Sequence, residues 1–495
     1  MTEQRTSYRQ IIKSTSVFGG VQVFNIILNI IRSKALAIFL GPVGMGISGL
    51  LLTAITLVAG ITNFGLGTSA VKNVAEAYAS GNEFKVSRII IILKRCVLIT
   101  GMLGVLVTIL SSSWLSKLSF GNDDYVIAFT VISVSLLFNQ IAVGQLAILQ
   151  GLRKIPYLAK ANLLGTFLGV VVTIPMYFFW GKDAIVPAII ISSFMSLSST
   201  WYFSQKVKMP AVQVSVVRTY AEGKNMFTMG FLISLSLLLA NGSSYLVQNF
   251  ISNVGGVKDV GLYLAGFAII NNYVGIIFSA MAADYYPRLA AIPVENNTFS
   301  NEVINQQAEI TLLILAPIIL VFLVFINVVI VILYSRDFIE VNGMIYWAAL
   351  GMFFKAASWP IAYVFLAKGV SKLYFWNELV AAFYILVFNM LGYYYFGLKG
   401  LGYAFTLGYF LYLLQLMIIV KAKYDFRFSR SFYMLFAVQF LLAISCFLIV
   451  VFLEEKYAYL IGICLIIVSS LYSLKLLDNR IEIKSYISRF RNKSR

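Results

Sequence analysis

Arg32 and Lys355 ask most of this sequence, because each lies inside a long apolar run. Arg32 belongs to "VQVFNIILNIIRSKALAIF" (21–39). At 100° per residue, Gln22, Asn25, Asn29 and Arg32 fall within about an 80° arc, and the opposite face is Val, Phe, Ile and Leu. Lys355 stands about twelve residues from either end of its own run. A cation facing lipid at mid-bilayer costs about 2.5–3.5 kcal/mol. An ammonium that deep cannot easily snorkel the ~18 Å to an interface. Lys355 must therefore face water, a partner or a ligand, and the cost of an intramembrane cation favours a functional role for Arg32 as well. A guanidinium can grip phosphate oxygens with two parallel hydrogen bonds, and an ammonium acts as a point charge. The chemistry on offer is recognition of an anion, and diphosphates suit it. No acid lies deep in any run; Glu378 and Asp284 come closest, near the ends of theirs. A site with cations and no deep carboxylate attracts anions and rejects organic cations.

The remaining inventory excludes more than it offers. Histidine is absent, which removes His-based triads, His metal sites and His proton relays. Cys96, Cys446 and Cys464 all fall in apolar runs and read as packing. Paired carboxylates, a P-loop and a nucleophile motif are all missing, so no catalytic residue, metal or cofactor is expected and ATP is not the direct energy source. Asp123 and Asp124 in "GNDDY" sit in a segment of roughly eight residues. That is too short to hold an acceptor, so a membrane polymerase or glycosyltransferase is the weaker alternative and a turn the better reading.

Elements that could position these residues follow from hydrophobicity. Of 495 residues, 60% are hydrophobic and 12% charged. Apolar runs of about 20 residues recur from end to end, enough to cross a hydrocarbon core about 30 Å thick. We expect an all-α polytopic membrane protein of about 14 transmembrane helices. The first run, about 24 residues ending at "GP", reads as a retained helix and not a cleaved signal peptide. With the N-terminus inside, 29 of the 38 Lys and Arg residues lie in cytoplasmic segments, six lie outside, and Arg32, Lys34 and Lys355 lie within spans. This asymmetry places both termini in the cytoplasm and accounts for the net charge of +18 without nucleic acid. Lys34, near the outer end of the first span and on the face opposite Arg32, reads as snorkelling. The basic tail "NRIEIKSYISRFRNKSR" suits anionic headgroups.

The chain also repeats. "WGKDAIVPA" (180–188) aligns with "FGLKGLGYA" (396–404) at an offset of 216, "GIS" (46–48) with "GLY" (261–263) at 215, and "GLRK" (151–154) with "GVSK" (369–372) at 218. Spans 1–6 thus correspond to spans 7–12, two six-helix lobes related by an internal parallel repeat, with two extra C-terminal helices. The expected divisions are an N-lobe at 1–205, a linker at 206–225, a C-lobe at 226–420, the added pair at 421–474 and the tail at 475–495. An offset of 216 maps Asn25 onto Asn241, Asn29 onto Tyr245, Arg32 onto Gln248 and Asn139 onto Lys355. The seventh span therefore has its own stripe of Asn241, Ser244, Tyr245 and Gln248. The simplest arrangement points these stripes into a polar cavity between the lobes.

"STSVFGGVQVFNIILNIIRSKALAIFLGPVGMGISGL" and "NFGLGTSAVKNVAEA" closely resemble the opening of bacterial O-antigen and related lipid-linked oligosaccharide flippases, the polysaccharide transporter branch of the multidrug/oligosaccharidyl-lipid/polysaccharide exporter superfamily. The resemblance covers the first ~90 residues best, and the repeat carries it to about residue 420. It implies a V-shaped bundle in the bacterial inner membrane that moves an undecaprenyl-diphosphate-linked sugar unit to the periplasmic leaflet by alternating access. It implies Arg32 and Lys355 on the diphosphate or acidic sugars, and Gln22, Asn25, Asn29, Asn139, Asn241 and Gln248 on the glycan, with Tyr245 in the same set. Glycan polymerase and chain-length machinery are the implied partners. Many O-antigen flippases have twelve spans, whereas peptidoglycan-precursor flippases have fourteen and use the last pair for the lipid tail. A drug or cation antiporter of the same superfamily is the main rival; it would need deep carboxylates.

Overall fold

The computed structural model describes residues 2–292 and 297–481. Among them the chain is helical, with no strand. Within hydrocarbon a helix satisfies every backbone group internally. In order the helices are α1 (Thr2–Thr62), α2 (Leu66–Ala79), α3 (Glu83–Phe120), α4 (Val126–Ile132), α5 (Val134–Gly151), α6 (Ile155–Trp180), α7 (Ile185–Gln205) and α8 (Val216–Gly255). Then come α9 (Val257–Phe267), α10 (Ile276–Ala290), α11 (Asn297–Leu333), α12 (Asn342–Ala367), α13 (Ser371–Tyr424), α14 (Arg430–Phe452) and α15 (Glu455–Ile481). A π-helical segment, Ala268–Val274, joins α9 to α10.

Ten stretches of the described residues are long and apolar enough to cross a membrane. Three of them, Val23–Thr62, Ile155–Gln205 and Lys372–Tyr424, have 40, 51 and 53 residues. At about 1.5 Å per residue each is long enough for two crossings of a ~30 Å core. Each is broken once, at Gly41, Gly181 and Gly397, where φ is 64°, 56° and 58°. Counting these as pairs and adding α8 gives the fourteen crossings expected. The protein is a multi-pass membrane protein.

The internal repeat is written in the backbone more clearly than in the side chains. Left-handed residues recur at 215 or 216 positions: Gly41 with Gly256, Arg153 with Gly369, and Gly181 with Gly397. The helix ends before α6 and α13 carry the same three amide bonds. Leu152, Arg153 and Lys154 donate to Ile148, Gln150 and Leu149; Lys368, Gly369 and Val370 donate to Val364, Leu366 and Phe365. Each is a Schellman end with its long-range bond closed. The offset of 218 read from "GLRK" and "GVSK" is thereby corrected to 216. Matching glycine to glycine misled, because the left-handed slot of the first copy holds Arg153.

The chain divides into two compact units, Met1–Gly261 with Leu333–Ser335, and Leu262–Ile332 with Arg336–Arg495. In the first, α8 runs antiparallel to the second arm of α1. Gly46 and Gly261 sit where no larger residue fits: a Cβ would lie 2.0 Å from the Val257 carbonyl oxygen and 1.9 Å from that of Pro42. These two contacts are copies of each other under the repeat. Leu51, Ile55, Phe129, Leu136, Tyr177, Ile189 and Tyr245 form one buried cluster. The segment after α7 is held down by Arg95, which donates to the Val214 carbonyl and to Thr219 Oγ1 at 2.9 and 2.8 Å. In the second unit, Phe353 and Phe354 of α12 meet Phe436 and Phe440 of α14. Gln439 of α14 is fully buried and bonds Ser469 and Ser473 of α15. The expected basic tail lies, from residue 482, outside the described residues.

Candidate functional site

The first unit contains a cavity of about 460 Å³. The first arm of α1 supplies Asn25, Asn29 and Arg32, one helical turn apart, and the second arm adds Thr56. Helix α5 contributes Ser135 and Asn139, and α7 contributes Ser192, Ser193 and Ser196. Helix α6 contributes Thr166 between Gly165 and Gly169. Those glycines let α6 approach α7: a Cβ at 165 would lie 3.1 Å from Ser196 Cα, and one at 169 would lie 3.3 Å from Ser192 Oγ. The wall is therefore glycine backbone and small, hydroxyl-rich side chains, with Leu52, Ile55, Val170 and Ile189 filling the remainder.

Arg32 is the charged residue of this lining, which includes no carboxylate and no aromatic ring. It is half-buried and has no side-chain hydrogen bond or ion pair among the described residues. Asn25 Oδ1, Ser135 Oγ and Ser192 Oγ are also buried without a partner among the described residues. An unsatisfied buried polar atom costs about 1–3 kcal/mol, so this site stores hydrogen-bonding capacity that a polar ligand would use. Four residues expected from the sequence, Asn25, Asn29, Arg32 and Asn139, come together here. The side chain of Gln22 lies outside the described residues.

Lys355 belongs to the second unit, on α12. Its Nζ donates to Asn271 Oδ1 at 2.8 Å, and Asn271 lies in the π-helical segment. The rings of Tyr409, Phe278 and Phe405 stand 5.1, 5.7 and 5.9 Å from the ammonium. One amide and three ring faces stabilise the charge without an acid. No feature of the sequence pairs Lys355 with Asn271, since a π-turn shifts the helical register of every residue beyond it.

Tyr245 and Gln248 are corrected. Both are buried in helix packing, at 1% and 2% exposure, and neither lines the cavity. Tyr245 Oη shares a hydrogen bond of 2.7 Å with Ser119 Oγ of α3. Gln248 Oε1 accepts from Thr53 Oγ1 of α1 at 2.8 Å, and its Nε2 donates to Ser244 Oγ. Tyr245 and Gln248 thus act as glue in a helix seam, where their polar groups meet complementary groups on α3 and α1. Asn241 is half-buried on the same helix and is not in the lining.

The acids fall into structural roles. Asp123 accepts from Ser113 Oγ at 2.9 Å and pairs with Lys117 at 3.2 Å. The Ser113 hydrogen bond, helped by Lys117, holds its carboxyl below the usual carboxylate range. Glu378 is hydrogen-bonded by Tyr412 and Asn377. Glu309, missed in the sequence, is buried on α11 and paired with Arg480 of α15, and it accepts from Ser429 Oγ at 3.0 Å. The serine wall was also missed. Its signals were available: "GTFLG" (165–169) is a small-xxx-small motif, and Ser192 and Ser196 are one turn apart. Among the described residues, no three His, Cys, Asp or Glu side chains are grouped to hold a metal.

The chain has relatives among known proteins. A family model described as "Polysaccharide biosynthesis protein" matches residues 11–293, more than half of the chain. The Lipid III flippases of Escherichia coli (strain K12) and Shigella flexneri are each 22% identical over 369 residues, 72% of this chain and 85% of theirs. The fold is similar to that of the Lipid II flippase MurJ in its inward closed conformation, with a TM-score of 0.67 at 12% identity over 94% of this chain and 99% of that one. It is also similar to an inward-facing multidrug resistance MATE family transporter of the MOP superfamily, at 0.63 and 14% identity over 82% and 94%. At these identities the structural likeness is one of fold alone.

Proposed function

The chain belongs to the Polysaccharide biosynthesis protein family, and from that premise we propose that it is a flippase for a lipid-linked glycan. The substrate is an undecaprenyl-diphosphate-linked oligosaccharide resembling an O-antigen repeat unit, carried from the cytoplasmic to the periplasmic leaflet by alternating access. The protein works in the bacterial inner membrane with both termini in the cytoplasm, and a glycan polymerase with its chain-length machinery takes the product. It performs no covalent step.

One observation carries this reading: a guanidinium without a partner among the described residues, in a polar cavity whose described lining has no carboxylate, within a membrane-spanning unit. Burying a cation is costly unless an anion joins it. The headgroup of a lipid-linked glycan supplies an anion, as diphosphate or acidic sugar, and the hydroxyls that Asn25, Asn29, Asn139 and the serines can bond. Lys355 offers a second cation already protected by Asn271 and three rings. An antiporter for organic cations would need an acid where this lining has Arg32.

The test is complementation of a flippase-deletion strain. Arg32→Ala and Lys355→Ala are expected to abolish surface glycan at unchanged membrane abundance. Full complementation by both variants would overturn the assignment.

A further inference from the structure

Resting on the flippase reading, we infer that the first-unit cavity holds the sugar end of the headgroup, at an acidic sugar, and not the diphosphate. Three features point there. First, Asn25 Oδ1 is a buried acceptor without a donor among the described residues. A diphosphate near neutral pH presents essentially acceptors and can meet the Asn25 amide only through its Nδ2 donors; a sugar hydroxyl or N-acetyl group can pair with either end of the amide. Second, Ser135 is fully buried, lines the cavity, and its Oγ has no partner among the described residues. Ser192 Oγ, which lines the same cavity and is also without a partner among the described residues, adds a second hydroxyl, and each can both donate to and accept from a sugar hydroxyl. Third, Arg32 is the single charge of the lining. One guanidinium balances one carboxylate and matches its two oxygens with a fork of N–H groups. A diphosphate placed there keeps at least one uncompensated negative charge out of water.

The shape agrees. A volume of about 460 Å³ lies within the ordinary range of small-molecule sites, about 300–1,000 Å³. The lining offers no aromatic plane on which a sugar ring could stack, so the ring is read by its hydroxyl edges. Ser192 and Arg32 are the specificity-determining residues: the first reads hydroxyls, the second the acid.

The experiment uses the full chain in proteoliposomes and three polyprenyl-diphosphate probes. One carries a uronate-terminated disaccharide, one a neutral disaccharide, and one no sugar. The uronate probe is expected to cross at least tenfold faster than the neutral one. Arg32→Gln is expected to erase that preference, Arg32→Lys to restore part of it, and Ser192→Ala to slow both sugar-bearing probes threefold or more. If Arg32→Gln slows the sugarless probe as strongly as the uronate probe, Arg32 holds diphosphate; the inference falls and the flippase reading stands. Equal rates for the uronate and neutral probes also overturn the acidic-sugar assignment. If the unaltered protein moves none of the three, the flippase reading falls and takes the inference with it.

Discussion

Replacing Gly46 by alanine places a methyl carbon 2.0 Å from the Val257 carbonyl oxygen, where α1 crosses the start of α9. Contacts below 3.0 Å are essentially not tolerated, so the two backbones must part by about 1 Å. Overpacking of this kind costs about 1–3 kcal/mol, and the upper end applies because the obstacle is main chain and cannot rotate away. Alanine's better helix propensity returns about 0.5–1 kcal/mol, leaving a net loss of roughly 2 kcal/mol. Gly261→Ala meets the Pro42 carbonyl at 1.9 Å and should cost the same. Both methyls open one crossing, so the double variant should cost about 3 kcal/mol, at least 1 kcal/mol short of additivity. Gly242→Ala is the control: among the described residues its Cβ meets only Leu57 Cδ1, at 3.9 Å, and the change should be neutral or slightly stabilising. The assay is reversible unfolding in mixed micelles by titration with a denaturing detergent. Strict additivity, or a Gly46→Ala effect no larger than that of Gly242→Ala, would refute the reasoning.

Three further outcomes are expected. Arg153→Gly relieves about 1–2 kcal/mol of left-handed strain at an exposed site and gives back about 0.5–1 kcal/mol in unfolded-chain entropy; the melting temperature should rise by about 1 °C, and a fall would count against the Schellman assignment. Arg480→Gln strands the buried Glu309 carboxylate and should cost roughly 3 kcal/mol, while adding Glu309→Gln should recover more than half of it; equal losses in the single and double variants would show that the pair does not hold α15 to α11. In a Cys464→Ser background, Asn29→Cys should react with a water-soluble maleimide at least tenfold faster than Gln248→Cys, and similar rates would mean that the α8 seam is as wet as the cavity.

The number of crossings and the duplication were legible in the sequence, because hydrocarbon thickness fixes span length and a repeat keeps its spacing. The stripe on the first span led directly to the cavity, since Asn25, Asn29 and Arg32 need no partner to be read as a face. The matching stripe on α8 misled. Its polarity answers Thr53 and Ser119, and which helix lies opposite is a tertiary fact that no local pattern carries. The serine wall escaped attention because hydroxyls in an apolar run are cheap and common, unlike amides and cations. Glu309 lies at the start of its apolar run, and the groups that meet its carboxylate, Arg480 of α15 and Ser429 just before α14, come from far along the chain.

Gly181 stands 28 positions after Arg153, and Gly397 stands the same 28 after Gly369. Each copy thus has a rod of fixed gauge clamped between two left-handed turns. One inserted residue within α6 would advance everything beyond it by about 1.5 Å and swivel it by about 100°. An insertion ahead of Gly165 would swing Thr166 and the flanking glycines away from α7, and the cavity wall would present a different set of groups without a single lining side chain being exchanged. Tolerance to change in this segment should therefore be generous for letters and severe for length.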